Sequence, residues 1–362
     1  AKYEHSPDTW TATFSVDVST NWKNGWWYKL RVYGEDAALN THGTALAPST
    51  SGYFYYDEAV PLVKISYPLN AGNYGKDSLK KIYGTSSDAH SKVKRVEYRL
   101  EHPPLAKWEA TDTGGSWKDQ SAIIWNLAKT TTTVPYETWL SSNIAWVDGE
   151  EYTFIARSLD KALSYSAVYS TVVFKYDITA PTSVVIKPVE ARTYSAKLSV
   201  ISGTLMDKPD TTRQSGVDLF KAGIRRESDS KWWNGTAKGW EAAREDVAHA
   251  APAGLDWKHE SLGSFWDTVG TAESFRVYVW GQDKVDKPDA TYRNIESSTV
   301  LKNTFKYEVA PPTSTVTAPL HNKWYSAVSG YDLAELKGTS FDLPVSGPGS
   351  GNTISKMQAH IR

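Results

Sequence analysis

The chain has 362 residues, and its 40 Lys and Arg against 41 Asp and Glu leave a formal net charge of −1, which argues against nucleic acid as a partner. The absence of cysteine excludes disulfides, thiolate nucleophiles and zinc–thiolate sites. No run of apolar residues approaches the roughly 18 that a membrane-spanning helix needs. The 16 Trp and 21 Tyr are the unusual part of the composition, and they suit either aromatic-rich cores or exposed binding platforms.

In chain order, the first strong element is an alternating strand that occurs in three copies. Its aromatic anchors are Tyr28, Tyr152 and Phe275, and each copy continues with apolar or small residues at every second position and ends in an Asp. Such alternation followed by an acidic turn predicts a half-buried β-strand. An aromatic residue early in the strand fits a tyrosine corner, in which the hydroxyl ties the strand to an adjoining loop; Phe275 lacks that hydroxyl.

A tryptophan precedes each anchor. Trp10 and Trp257 stand at the same distance before their anchors, whereas Trp125 stands further before its own. The longer spacing predicts an inserted Thr-rich loop in the middle copy.

A second motif leads from each anchor strand into the next copy. It occurs as Phe54-Tyr-Tyr-Asp57, Phe174-Lys-Tyr-Asp177 and Phe305-Lys-Tyr-Glu308. A proline follows each Phe at the same spacing, and these prolines are Pro61, Pro181 and Pro312. The interval from one proline to the next has the length of one globular domain rather than of a solenoid turn.

Each proline begins a segment with the same strand and turn. Apolar residues lead to a Gly-Thr-x-x-Asp step at Gly84, Gly203 and Gly338, where glycine tolerates a positive φ and the Asp caps the turn. The strand that follows alternates in all three copies, within 96–100, 220–224 and 357–361. Many short strands separated by turn signals predict an all-β fold of tandem immunoglobulin-like β-sandwich domains.

Four short motifs carry a family resemblance. They are Asp177-Ile-Thr-Ala-Pro-Thr-Ser, the Gly-Thr-x-x-Asp step, Lys231-Trp-Trp-Asn-Gly-Thr, and the strand that ends in Ala-Arg-x-x-Asp160. Together they resemble the bacterial Ig-like tandem repeats of very large secreted and cell-surface proteins. The resemblance covers nearly the whole chain and implies an Ig-like sandwich in an extracellular or cell-surface location.

The repeat predicts two complete domains and two halves. Residues 61–180 and 181–311 are complete copies, whereas residues 1–60 hold only the later strands and residues 312–362 only the earlier ones. Each half would leave an apolar face and a strand edge uncovered. Three arrangements would cover them: closure on each other within one chain, pairing between successive chains into a head-to-tail filament, or continuation into a giant repeat polypeptide.

Tryptophans cluster after the alternating strand of each complete domain. They are Trp108, Trp117, Trp232, Trp233 and Trp240. Exposed rings would form a platform for a glycan, since the C–H faces of sugars pack on aromatic rings. The competing interpretation is that they cover the ends of the sandwiches, and recurrence in both domains favours this scaffold role.

Acidic residues gather in the predicted junctions and loops. The candidates for a Ca²⁺ site are Asp57, Asp177, Asp207, Asp283 and Asp286. Calcium takes roughly six to eight oxygen ligands, and the sequence contains no dense Asp-x-Asp-x-Asp loop, so turn capping is the competing interpretation. No other cofactor is indicated. The eight His are scattered, without the spacing of a triad or a metal motif, so the sequence predicts no catalytic residues and no enzyme.

The sequence therefore predicts a structural component of an extracellular or cell-surface fibre made of tandem Ig-like domains. Its partners would be copies of itself or adjoining repeats, arranged head to tail, with each half-domain completed by its neighbour. The alternative is an adhesin that binds surface glycans through the Trp-rich loops.

Overall fold

The computed structural model describes residues 2–6, 9–13, 22–32, 34–36, 38–42, 50–103, 106–112, 114–131, 136–207, 213–250, 254, 256–260, 262–285, 293–327, 332–342, 354 and 356–361. These residues are nearly all β-structure, and the chain divides into two compact units, Ala1–Asp177 and Ile178–Arg362. No helix among them has the length and apolar character that a membrane span requires.

The first unit begins with short antiparallel ribbons. Their strands are β1 (Lys2–Ser6), β2 (Thr9–Thr13), β3 (Trp26–Val32), β4 (Gly34–Glu35), β5 (Thr41–His42) and β6 (Thr50–Tyr56). Strand β1 pairs with β2, β3 with β6, and β4 with β5. Among the residues described, none of these pairs is extended by a further strand.

The remainder of the first unit is a two-sheet sandwich. Its strands are β7 (Leu62–Tyr67), β8 (Gly72–Tyr74), β9 (Tyr83–Ser87), β10 (Val93–His102), β11 (Ala106–Ala110), β12 (Gly115–Asp119), β13 (Asn126–Leu127), β14 (Lys129–Thr130), β15 (Thr138–Leu140), β16 (Glu150–Asp160) and β17 (Ser170–Tyr176). One sheet has the order β14-β15-β9-β7 and the other β12-β11-β10-β16-β17-β8, with β13 also on β10. Strand β8 runs parallel to β17, and the other neighbours are antiparallel. This is the Ig-like sandwich that the alternating strands predict.

The second unit repeats this architecture. Its strands are β18 (Thr182–Lys187), β19 (Arg192–Tyr194), β20 (Ile201–Met206), β21 (Val217–Arg226), β22 (Trp232–Asn234), β23 (Gly239–Glu241), β24 (Val247–Ala250), β25 (Asp256–His259), β26 (Ala272–Asp283), β27 (Leu301–Glu308), β28 (Thr313–Ala318) and β29 (Lys337–Phe341), with one short helix, α1 (Gly263–Trp266). One sheet has the order β18-β20-β25 and the other β19-β27-β26-β21-β22-β23, with β24 also on β21. Strands β28 and β29 form a separate antiparallel pair.

Each sandwich core is built from the predicted alternating residues. In the first unit, Tyr98 and Leu100 of β10 pair with Ala156 and Phe154 of β16, and all four are buried. Burying a large apolar side chain contributes roughly 1.5–3 kcal/mol, so these positions contribute substantially to the stability of the domain. Of the predicted linker prolines, Pro61 and Pro181 are buried and Pro312 is exposed.

The predicted tyrosine corners form. The hydroxyl of Tyr152 accepts a 2.7 Å hydrogen bond from the backbone N–H of Val147, and that of Tyr28 accepts a 2.6 Å hydrogen bond from Lys23. Burial raises the pKa of Tyr152, so its hydroxyl stays protonated. Phe275 is fully buried at the equivalent position of the second unit.

The tryptophan that matches Trp257 in the first sandwich is Trp139; the assignment of Trp125 from spacing is wrong. Trp139 lies opposite Gly84, as Trp257 lies opposite Gly203. Trp125 is half-buried and stacks on the guanidinium of Arg157, 3.9 Å from its ring centroid. Spacing fails as a guide because loop lengths vary freely between copies, whereas strand register is fixed by the buried face.

The third copy of the alternating strand is absent from the described residues of its segment. Residues 354 and 356–361 have no regular structure. In both sandwiches this strand pairs with the anchor strand, β10 with β16 and β21 with β26. The C-terminal segment contains no anchor strand among its described residues, so this hydrogen-bonding partner is missing.

Candidate metal centre

Three carboxylates from separate elements of the first unit converge on one point. Asp57 directly follows β6, Asp88 directly follows β9, and Asp160 is the last residue of β16. Each offers a carboxylate oxygen within 4.8 Å of the other two. Asp160 is fully buried, and the other two are half-buried. The site therefore joins the segment before Pro61 to two ends of the sandwich that follows it.

Hydrogen bonds hold Asp57 in place. Its Oδ1 accepts a 2.8 Å hydrogen bond from the N–H of Ala59, and its Oδ2 accepts a 2.9 Å hydrogen bond from the N–H of Ser91. Beside it, the N–H of Glu58 donates to Asn24 Oδ1 at 2.8 Å. The junction segment is thus fixed to a loop on each side.

Asp88 and Asp160 each use one oxygen to cap a turn. Asp88 Oδ1 accepts from the N–H groups of His90 and Lys92 at 3.0 and 2.9 Å, and Asp160 Oδ1 accepts from the N–H of Ser164 at 2.8 Å. The second oxygen of each carboxylate is buried and has no hydrogen-bond partner. A buried oxygen of this kind is costly unless a donor or a cation satisfies it. Turn capping therefore leaves two oxygens to be accounted for.

Electrostatics at the site also favour a cation. Burial raises the pKa of Asp160, and the negative charges of Asp57 and Asp88 raise it further. Burial acts in the same direction on Asp57, but hydrogen bonds from Ser91 and Ala59 outweigh it and lower the pKa of that carboxyl. The three charges repel one another, and a divalent cation between them would reverse that repulsion.

The other predicted metal candidates have different surroundings. Asp177 is buried at the end of the first unit, where its N–H donates a 2.9 Å hydrogen bond to the carbonyl of Tyr74. In the second unit, Asp207 and Asp283 are buried, with carboxylate oxygens within 4.8 Å of each other. Asp286 lies outside the described residues.

Asp88 and Asp160 are the members of the site that the calcium candidates predicted from the sequence did not include. Asp160 ends its anchor strand at the position where Asp283, a predicted candidate, ends the equivalent strand. Asp88 corresponds in the same way to Asp207 through the Gly-Thr-x-x-Asp step. The repeat itself was the signal that would have identified both residues.

The predicted aromatic platform is largely part of the sandwich cores. Trp108 lies opposite Trp117 across β11 and β12, and Trp233 lies opposite Trp240 across β22 and β23. Trp108 and Trp233 are buried, whereas Trp117, Trp232 and Trp240 are half-buried. The rings of each opposed pair contact edge to face, so most of their surface is used in packing.

No family model matches the chain, and no curated protein sequence matches it. Among solved structures, it is similar to the fibronectin(III)-like modules of Clostridium thermocellum CbhA, with 13% identity, a TM-score of 0.24, and coverage of 68% of this chain and 94% of that one. It is also similar to a tetra-tandem repeat in the extending region of a large adhesion protein, with 13% identity, a TM-score of 0.29, and coverage of 83% and 60%. A third similar structure is the Protocadherin GammaB4 extracellular domain, with 12% identity, a TM-score of 0.31, and coverage of 87% and 44%. The fold assignment rests on the strand topology described above.

Proposed function

We propose that the chain is a structural segment of an extracellular or cell-surface fibre, built of tandem Ig-like sandwiches whose junctions are stiffened by calcium. The observation that supports it is the convergence of Asp57, Asp88 and Asp160 between a sandwich and the segment that enters it. A site at a junction suits a protein whose function depends on the geometry of successive domains.

The ligand set fits calcium better than a transition metal. It consists of carboxylate oxygens from Asp57, Asp88 and Asp160, without the sulfur or imidazole ligands that zinc and copper favour. Calcium takes oxygen ligands at roughly 2.3–2.6 Å, and water or carbonyl oxygens complete its coordination of roughly six to eight. Extracellular calcium modules bind with dissociation constants on the order of 10⁻⁴–10⁻³ M, and we expect this range here.

Calcium would reduce the freedom of the junction. Residues 57–61 join β6 to β7 and include Pro61, whose ring fixes one backbone torsion. A cation shared by Asp57, Asp88 and Asp160 would add a cross-link between this segment and the sandwich. The orientation of one domain relative to the next would then be fixed at the junction rather than left to a flexible linker.

The half-domains belong to the same proposal. Among the described residues of 1–60, the strands of the later half of a domain form ribbons without strands of the earlier half beside them. Among the described residues of 312–342, β28 and β29 of an earlier half form a ribbon without an anchor strand. We propose that the adjoining chain or repeat supplies the missing half of each, so that the array consists of complete sandwiches throughout.

The test of the calcium site is titration of the full chain with CaCl₂ by isothermal calorimetry. We expect Asp160→Asn to lower the number of calcium ions bound per chain by one. Asp112→Asn, which changes an exposed carboxylate in the turn between β11 and β12, is the matched control and should leave binding unchanged. Equal binding by wild type and Asp160→Asn would contradict the proposal.

A further inference from the structure

The unpaired ribbons at the two ends of the chain have the form of two halves of one sheet. In the first sandwich, one sheet has the order β14-β15-β9-β7, which is the ribbon β14–β15 joined to the ribbon β9–β7. Strand β2, like β15, carries a Thr-Trp pair and is paired with the strand before it, and the pair β28–β29 corresponds to β7–β9 through the Gly-Thr-x-x-Asp step. Where the chain is described, β2 pairs only with β1, and β29 pairs only with β28.

A glycine and a tryptophan mark the place where the two ribbons join. Gly84 lies opposite Trp139, and Gly203 lies opposite Trp257. A Cβ on Gly84 would lie 2.1 Å from the carbonyl oxygen of Lys64 and 2.4 Å from Trp139 Cζ2, so only glycine fits between the adjacent strand and the indole. Both tryptophans are fully buried.

Gly338 has one half of these surroundings. A Cβ there would lie 2.4 Å from the carbonyl oxygen of Thr315 on the adjacent strand, and its three nearest neighbours are all backbone atoms. The tryptophan that belongs opposite it is Trp10, because Trp10 follows Thr9 on β2 as Trp139 follows Thr138 on β15.

Side-chain exposure also shows that each half lacks its partner. Six apolar positions of the half-domains are 39% to 82% exposed, whereas the equivalent residues of both complete sandwiches are at most 7% exposed. The exposed six are Leu30, Phe54, Val316, Leu336, Met357 and Ile361. Their buried counterparts in the first sandwich are Phe154, Phe174, Ile65, Ile82, Val96 and Leu100. The apolar surface of the half-domains therefore resembles a domain core cut in half. Interfaces in permanent complexes have the same composition.

We propose that β2 of one copy of the chain pairs antiparallel with β29 of a second copy, with Trp10 opposite Gly338. This inference rests on the proposed completion of the half-domains and adds its partner and its register. The register copied from the complete sandwiches also places Thr9 opposite Thr339 and Thr11 opposite Lys337.

Chain order favours a second copy over closure within one chain. In the complete sandwiches the glycine comes before its tryptophan, as Gly84 comes before Trp139 and Gly203 before Trp257. Within this chain the order is reversed, because Trp10 precedes Gly338. A second copy placed after the first, head to tail, restores the order in which every complete sandwich of this chain is built, and it continues as a heterologous contact from chain to chain.

Disulfide trapping in the full chain tests the register, since the sequence contains no cysteine of its own. Thr9→Cys chains are mixed with Thr339→Cys chains under mild oxidation, and covalent dimers are measured on a non-reducing gel. Thr9→Cys with Lys337→Cys is the matched control, because it is two residues out of register on the same strand face. Directly opposite Cβ atoms lie roughly 4.5–5.5 Å apart and diagonal ones somewhat less than roughly 7–8 Å, while a disulfide needs roughly 3.5–4.5 Å.

We expect the Thr9–Thr339 mixture to give several-fold more covalent dimer than the control. Equal yields would overturn the register. With both cysteines in one chain at low protein concentration, a cross-linked monomer in place of dimers would overturn the second copy as the partner.

Light scattering separates this inference from the proposal on which it rests. A wild-type chain that stays monomeric at every concentration would overturn the second copy as the partner and leave an adjoining repeat as the source of the missing halves. A chain that assembles without the Thr9–Thr339 cross-link would contradict only the register.

We further expect Trp10→Ala to reduce assembly. The control is Trp125→Ala, which changes a half-buried tryptophan of the first sandwich and should leave assembly unchanged. Equal effects of the two substitutions would overturn the role given to Trp10.

Discussion

The backbone N–H of Ser91 donates a 2.9 Å hydrogen bond to Asp57 Oδ2, which makes the segment before Pro61 part of the loop that follows β9. The junction is therefore ordered by the protein itself. A cation at the neighbouring carboxylates would strengthen an arrangement that already exists, so binding would not have to fold the segment first.

Asp57→Ala should loosen this junction without unfolding the sandwich. The substitution removes the acceptor for the N–H groups of Ser91 and Ala59, and a lost hydrogen bond to a charged group costs roughly 1.5–3 kcal/mol, less at a partly solvated site. We expect faster amide hydrogen exchange at both residues, measured by NMR, and unchanged exchange in β16. Protection of Ser91 equal to that in wild type would contradict this assignment.

Asp160→Asn should stabilise the protein without calcium and destabilise it, relative to wild type, with calcium. The pKa of Asp160 is raised by burial and by its carboxylate neighbours, so the folded state holds a proton more readily than the unfolded one. Stability without calcium therefore falls as the pH rises through the folded pKa, and the neutral amide avoids this loss. We expect the variant to have the higher Tm in EDTA at neutral pH.

In saturating calcium the order should reverse. A ligand at 100 times its dissociation constant stabilises the folded state by about 2.7 kcal/mol, and only the wild type keeps the complete site. Thermal unfolding of both proteins in EDTA and in CaCl₂ measures the crossover. The same order of Tm values in both conditions would rule out a calcium site at these residues.

Gly84→Ala should destabilise the first sandwich strongly. The new methyl group would lie 2.1 Å from the carbonyl oxygen of Lys64 and 2.4 Å from the indole of Trp139. Overpacking of a core typically costs about 1–3 kcal/mol, and contact with backbone places this case at the upper end. Gly114→Ala, where nothing lies within 4 Å of the new Cβ, is the control. Urea unfolding followed by Trp fluorescence compares them, and equal midpoints would contradict the packing argument.

The second sandwich should lose stability on acidification through its histidine pair. His259 Nδ1 lies 3.0 Å from His249 Nε2, and burial, with a smaller effect of the charge of His249, lowers the pKa of His259 from 6.5 to about 4. The unfolded chain therefore binds the proton first as the pH falls. This stabilisation is complete above about pH 6.5, is lost progressively down to about pH 4, and amounts to about 3 kcal/mol in full.

His259→Gln tests this pH dependence because glutamine keeps a hydrogen-bonding group that does not titrate in this range. We expect its urea midpoint to fall less than that of the wild type between pH 7 and pH 4.5. Carboxylates titrate in both proteins, so the difference between the two slopes isolates the histidine. Parallel slopes would contradict the assignment.

Local features of this fold could be predicted from the sequence. Alternation in β10 and β16 identified the buried residues because a strand presents every second side chain to the same face. The tyrosine corner at Tyr152 followed from its position at the start of an anchor strand. Both depend on residues close together in the chain, where spacing is a reliable guide.

Features that depend on sheet stacking could not be predicted in the same way. Asp57, Asp88 and Asp160 come from three places in the chain, and only the packing of two sheets brings their ends together. Trp139 was missed for a related reason, since its place opposite Gly84 follows from strand pairing rather than from its distance to Tyr152.

The parallel pairing of β8 with β17 has a consequence for how a single sandwich carries load. Strand β8 belongs to the entry side of the domain and β17 is its last strand, so a pull on the two ends draws them in opposite directions along their strand axes, across their shared hydrogen bonds. The bonds from Ala71 to Val173 and from Asp177 to Tyr74 are then loaded together in shear instead of opening one after another. The second sandwich has the same parallel pair in β19 and β27, so each domain resists extension with its last strand already clamped to its first half.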